Sequence, residues 1–159
     1  MSTPSREATA YHEAGHAVIA LHLGRPVQRV SILAKEQTLG RCEFRKGQQR
    51  PTEDWLEREI LISLAGLAAE ARFTGEYAWE GALRDLQGIR QLALQRAGER
   101  QADRFIKRML SKVEHLLSQP GMWRVVERIV AELLRCESLS GRAAVHLYEQ
   151  GIADADDLH

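Results

Sequence analysis

Apolar positions in this chain fall mostly at a spacing of three to four residues, and the runs that share this spacing predict helices. The first runs over residues 9–23, where Ala10, Ala14, Ala17, Val18, Ile19, Ala20 and Leu21 form a mostly apolar segment stopped by Gly24-Arg25-Pro26. A second spans residues 53–73 through Leu56, Ile60, Leu64, Leu67 and Ala71, with Thr52 as its N-cap and Gly75 at its end. Further helices are expected at 83–97, 101–118, 122–135 and 141–150, the last capped by Ser138 or Ser140. Pro120-Gly121 is read as the break between the fourth and fifth. Two short segments alternate instead, as strands do. Residues 27–33 place Val27, Val30 and Ile32 among polar neighbours, and residues 40–45 set Cys42 and Phe44 against Arg41, Glu43 and Arg45. The plan is an α+β fold: a mainly helical single domain over residues 1–159 with a small β-sheet, and a polar tail from about residue 152.

Composition adds bounds rather than chemistry. The 159 residues are 44% hydrophobic and 28% charged, ordinary for a globular domain. Lysine plus arginine equals aspartate plus glutamate at 22 each. With the arginines read as scattered and offset by acids, a nucleic-acid-binding role is disfavoured. No apolar run is long enough to span a membrane and no leader pattern opens the chain, so a cytoplasmic location is expected. Cys42 and Cys136 are far apart, which argues against a disulfide scaffold and reads each as a small apolar filler.

The chemistry lies in the first helix, in Tyr11-His12-Glu13-Ala14-Gly15-His16. At about 100° per residue His12 and His16 lie about 40° apart around the axis and roughly 6 Å along it, so both imidazoles can reach one metal ion. Glu13 falls on a neighbouring face, where a carboxylate can take a proton from a metal-activated water. This is the His-Glu-x-x-His arrangement of zinc metallopeptidases.

A catalytic zinc needs a third protein ligand. His22 occupies the metzincin position, but Ile19 stands where that pattern needs glycine. In a continuous helix His22 is about 120° round from His16, out of reach. Glu70, in the small-residue run Leu64-Ala65-Gly66-Leu67-Ala68-Ala69-Glu70, and Asp85, at the start of the third helix, are both able to complete the site on physical grounds.

Ala10-Tyr11-His12-Glu13-Ala14-Gly15-His16-Ala17, Val30-Ser31-Ile32 leading to Leu39-Gly40, Leu64-Ala65-Gly66 with Ala68-Ala69-Glu70, Gly81-Ala82 with Asp85-Leu86, and Leu133-Leu134 through Glu137-Ser138-Leu139-Ser140 occur in one order. In that order they resemble the peptidase domain of the FtsH family, membrane-anchored ATP-dependent zinc proteases. The resemblance implies zinc held by His12, His16 and Asp85, with Glu13 as general base and Glu70 in a supporting role beside the ligands. Arg84 stands where the family usually has asparagine, and is a second candidate for support of the Asp85 carboxylate. The family's transmembrane segments and ATPase have no counterpart in this sequence.

The expected function is therefore zinc-dependent endopeptidase action on peptides or unfolded proteins, without ATP unless a separate ATPase delivers the substrate. The edge of the strand at Gly40, Arg41 and Cys42 is a candidate to hold substrate backbone by strand addition. The alternative is a non-catalytic, zinc-stabilised regulatory or assembly domain of the same descent. The resemblance also leaves a homo-oligomer open. Trp55, Trp79 and Trp123 read as core or partly buried packing residues, with Trp79 also a candidate to line the cleft. Tyr11 is expected to pack behind the site.

Overall fold

The computed structural model describes residues 5–33, 41–44 and 53–156. The element order is α1 (Arg6–His22), β1 (Val27–Ser31), β2 (Arg41–Phe44), α2 (Glu53–Thr74), a 3-10 turn (Glu80–Ala82), α3 (Leu83–Ala97), α4 (Ala102–Ser118), α5 (Pro120–Cys136), β3 (Ser138–Ser140) and α6 (Gly141–Asp156). The helical plan and small sheet match the expected α+β class. Among the described residues no helix is long and apolar enough to cross a membrane.

α1 is the central helix. Ser5 caps it three residues earlier than expected, its hydroxyl accepting the Ala8 N–H at 3.0 Å. Residues on nearly every side of α1 are buried, from Ala8 to Ala20. α2 crosses it closely because both helices carry small residues at the contact. A Cβ on Gly15 would meet the Ala65 carbonyl oxygen and come within 2.6 Å of Ala69 Cβ. α4 and α5 enclose this pair with one apolar face each: Phe105, Met109, Val113 and Leu117 on α4, and Val125, Val126, Ile129, Val130 and Leu133 on α5.

The sheet has three antiparallel strands in the order β2-β1-β3, one more than expected. β3 is too short to show an alternating pattern. It follows Glu137, whose left-handed backbone (φ 68°) ends α5, and the Glu137 carbonyl accepts the Ile32 N–H at 3.0 Å. β1 ends at Ser31 rather than residue 33, and a register irregularity between Val27 and Arg29 breaks strict alternation. Gln28 and Arg29 are therefore both exposed while Val27 and Val30 are both buried.

Other corrections have simple causes. Pro120 opens α5 instead of breaking it, since the first helical position has no N–H partner to lose. α6 continues to Asp156, past the expected stop and through the start of the expected tail. Gly151 serves as a close helix contact, where a Cβ would lie 2.5 Å from Val125 Cγ2. Ser140, not Ser138, caps α6 by accepting the Ala143 N–H at 3.1 Å. Cys136 is exposed at the end of α5 and is not an apolar filler. The basic residues are also less scattered than they read: Arg104, Lys107, Arg108 and Lys112 share the exposed face of α4. The acids beside them are engaged elsewhere, Asp103 with Arg90 and Glu114 with Tyr77. Residues 34–40 and 45–52, including Gly40 and Thr52, and residues 157–159 lie outside the described residues.

Candidate metal centre

His12 and His16 project from α1 with ring centroids 4.8 Å apart and planes at 81°. In each the Nδ1 nitrogen is directed to a group on α2. His16 Nδ1 donates to the Ile62 carbonyl of α2 at 2.7 Å, which fixes the tautomer and leaves Nε2 with its lone pair. Burial, reinforced by the neighbouring His12, lowers the His16 pKa to about 4, so this imidazole is neutral and ready to ligate. His12 Nδ1 faces Glu70 Oε1 at 3.5 Å and its Nε2 faces Asp85 Oδ2 at 3.3 Å. Burial works to lower the His12 pKa, but Asp85 and Glu70 outweigh it and hold it at about 10. Asp85 is held below the usual carboxylate range, first by its hydrogen bond with His12.

Ligand atoms of His12, His16 and Asp85 all lie within 4.8 Å of one another, the grouping of metal-binding character found among the described residues. The floor of the grouping is Gly66. A Cβ there would lie 2.8 Å from His12 Nε2 and 2.6 Å from His16 Cε1, with His16 Nε2 nearer still. The absence of a side chain on α2 is therefore what leaves space where the two Nε2 atoms meet.

Glu13 is also buried, and its Oε2 has no hydrogen-bond partner. Burial raises its pKa to about 7, with His12 opposing and Asp85 and Glu70 adding to the rise. A buried carboxylate oxygen without a partner is costly unless something outside the protein, such as a water or a substrate amine, satisfies it. A neutral imidazole, a second whose proton a metal would displace, a carboxylate and an adjoining acid with one partnerless oxygen suit a zinc ion.

The structure thus brings His12, His16, Asp85, Glu13 and Glu70 together. Arg84 is exposed beside Asp85 on α3. His22 ends α1, its Nδ1 3.4 Å from the Tyr148 hydroxyl, and takes no part in the grouping. Tyr11 packs behind the site against Phe73 and Trp123, at centroid distances of 4.2 and 5.6 Å. Trp79 is 42% exposed rather than a packed core residue. Among the described residues β2 is an edge strand, but the side chains of Arg41 and Cys42 lie outside the described set. Sequence reasoning did not assign the Ile62 carbonyl, for which no side chain gives a signal, or the floor role of Gly66, which the small-residue run hints at.

A helix-borne His-Glu-x-x-His pair completed by an acid from another helix defines the zinc-metallopeptidase class of site. Residues 1–99 match the sequence model of peptidase family M41, and the chain belongs to that family. Its relatives include proteins named ATP-dependent zinc metalloprotease FtsH. The one from Syntrophotalea carbinolica is 39% identical over 58% of this chain and 15% of its own length. The one from Pelobacter propionicus is 27% identical over 99% of this chain and 29% of its own length. The protein named FtsH 1 from Sorangium cellulosum is 40% identical over 54% of this chain and 14% of its own length. The chain thus spans less than a third of the length of these relatives, and the expected likeness to an FtsH-family peptidase domain holds.

Proposed function

We propose that this chain is a zinc-dependent endopeptidase domain that cleaves peptides and unfolded protein segments. The observation that carries the reading is the convergence of His12 Nε2, His16 Nε2 and Asp85 beside a buried Glu13 oxygen with no protein partner. His12, His16 and Asp85 would hold the zinc, which when bound acidifies a water and polarises the scissile carbonyl. Glu13 accepts the proton of the attacking water and returns it to the leaving nitrogen as the C–N bond breaks. Burial raises the Glu13 pKa above the usual carboxylate range, which suits a group that takes up a proton and gives it back. Glu70 orients His12 through Nδ1, and the Ile62 carbonyl orients His16, so both imidazoles are fixed before substrate arrives.

The outer edge of β2 supports a role in holding an extended substrate by strand addition. The relatives' names attach ATP dependence to proteins of which this chain matches a part, and an ATPase partner that feeds unfolded segments to the site belongs to the proposal. A zinc domain without catalytic duty would have no use for a buried Glu13 with a partnerless oxygen.

The test is cleavage of casein by the zinc-loaded chain with Glu13→Gln as control. The expected result is a loss of about 100-fold or more in the variant, with zinc binding retained. Equal cleavage by both proteins would remove Glu13 from the mechanism. No cleavage by the zinc-loaded wild type would favour the regulatory or assembly domain.

A further inference from the structure

Asp85 reaches the site by a different route from the histidines. α3, which carries it, buries fewer residues than α1: Ile89, one turn beyond Asp85, and Ala93 are buried, and Leu86 is partly buried against the core. The placement of that first turn is shared between this packing and the connection from α2. The connection leaves α2 at Gly75 (φ 92°), whose N–H bonds the Ala71 carbonyl at 2.7 Å. The Thr74 hydroxyl then donates to the Glu76 carbonyl at 2.9 Å. Tyr77 follows, its hydroxyl donating to Glu114 Oε2 of α4 at 2.7 Å and its ring stacked on Trp79 at 4.6 Å and 8°. Trp79 in turn accepts the Ala82 N–H at 3.2 Å, and Ala82 is buried immediately before α3.

A surface cleft of about 260 Å³ lies beside the Tyr77–Glu114 bond, with Ala68, Ala71 and Leu117 among its walls. Tyr77 and Glu114 both line this cleft, which is open to solvent, where the connection passes α4. Burial, with the adjacent Glu114 carboxylate, pushes the Tyr77 pKa up, which keeps the phenol protonated as the donor.

We propose that Tyr77 is a positioning residue for Asp85: by bonding Glu114 and stacking on Trp79 it fixes the α2–α3 connection, and so sets where α3 presents the third metal ligand. The inference rests on the reading of His12, His16 and Asp85 as zinc ligands. Tyr77→Phe keeps the ring and its stack but removes the bond to α4.

The test measures zinc affinity of the full chain by competition with a chromophoric chelator, together with the visible spectrum of the cobalt-substituted protein and the melting temperature of the metal-free form. Tyr77→Phe is expected to bind zinc about three- to tenfold more weakly, less than the effect of changing a residue bonded directly to a ligand. A shifted cobalt spectrum and an unchanged metal-free melting temperature should accompany it. Glu114→Gln, which keeps an acceptor oxygen, should behave as wild type, while Glu114→Ala should reproduce the Tyr77→Phe loss. If Tyr77→Phe does not fold, Glu114→Ala puts the same question from the α4 side. Wild-type affinity and spectrum in both Tyr77→Phe and Glu114→Ala would overturn the proposal, as would losses that only follow a lowered melting temperature. Asp85→Asn in the same titration separates the two levels. Wild-type affinity there overturns the ligand assignment itself, whereas a loss there with none in Tyr77→Phe overturns the positioning role alone.

Discussion

His12 and His16 stand on a helix with nine buried residues, crossed at contact distance by α2, whereas Asp85 stands on one with two, half exposed and reached through a hydrogen-bonded connection. In the first region the ligands are held by backbone proximity: glycine and alanine let two helices close until the Ile62 carbonyl meets His16. In the second the ligand is held by side chains that bridge a loop to a neighbouring helix. On the proposed reading the histidine half of the site is the rigidly packed half and the aspartate half rests on fewer contacts, so metal affinity would be tuned at the aspartate half.

Substitutions at two glycines probe the rigid region most severely. Gly15→Ala would ordinarily favour a helix by about 1 kcal/mol, but the new methyl meets the Ala65 backbone, which cannot move aside. A net loss of about 2 kcal/mol or more is expected, read by urea denaturation. Gly66→Ala places its methyl against the imidazole tips instead of backbone, so the clash is relieved by displacing the rings from their Ile62 and Glu70 contacts rather than by separating the helices. The fold should survive with a smaller loss while zinc binding falls by about 100-fold or more, beyond the range of changes that only reorient a ligand. If both variants showed the same balance of unfolding and zinc loss, the division into packing and site glycines would fail.

Glu70→Gln tests the join between the regions, since Glu70 on α2 steadies the His12 ring that also faces Asp85. About tenfold weaker zinc binding is expected, measured by chelator competition, with the fold retained. A separate test is the pH dependence of metal-free stability. His12 has a folded pKa of about 10 against about 6.5 unfolded, so its contribution to metal-free stability is complete below about pH 6.5 and lost as pH rises towards 10. Below pH 6.5 two groups oppose each other. His16, lowered to about 4, loses stability as pH falls from about 6.5 towards 4, while Glu13, raised to about 7, gains it as pH falls from 7 towards 4.5. Denaturation of the metal-free chain should therefore show a shallow acid side and a decline from pH 7 to 10. A flat alkaline limb would contradict the assigned His12 environment.

The same contrast decides what could be read in the sequence. The rigid half is local: helical periodicity alone sets His12 and His16 on one face, and the small-residue run of α2 signals close packing. From residue types alone Asp85 and Glu70 were equivalent, and only the resemblance separated them, because which acid meets the metal depends on how α3 sits against α1. Tyr77 and Glu114 left no mark, since a bond between a loop and a helix 37 residues away has no period. β3 was missed for its brevity, and the end of α6 because Gly151 reads as a stop but acts as a contact with Val125.

The most direct test is anomalous diffraction at the zinc edge from crystals of the zinc-loaded chain. A single peak within bonding distance of His12 Nε2, His16 Nε2 and the Asp85 carboxylate is predicted, with Glu13 adjacent and unbound. A peak elsewhere, or one that Asp85 does not reach, would contradict the account.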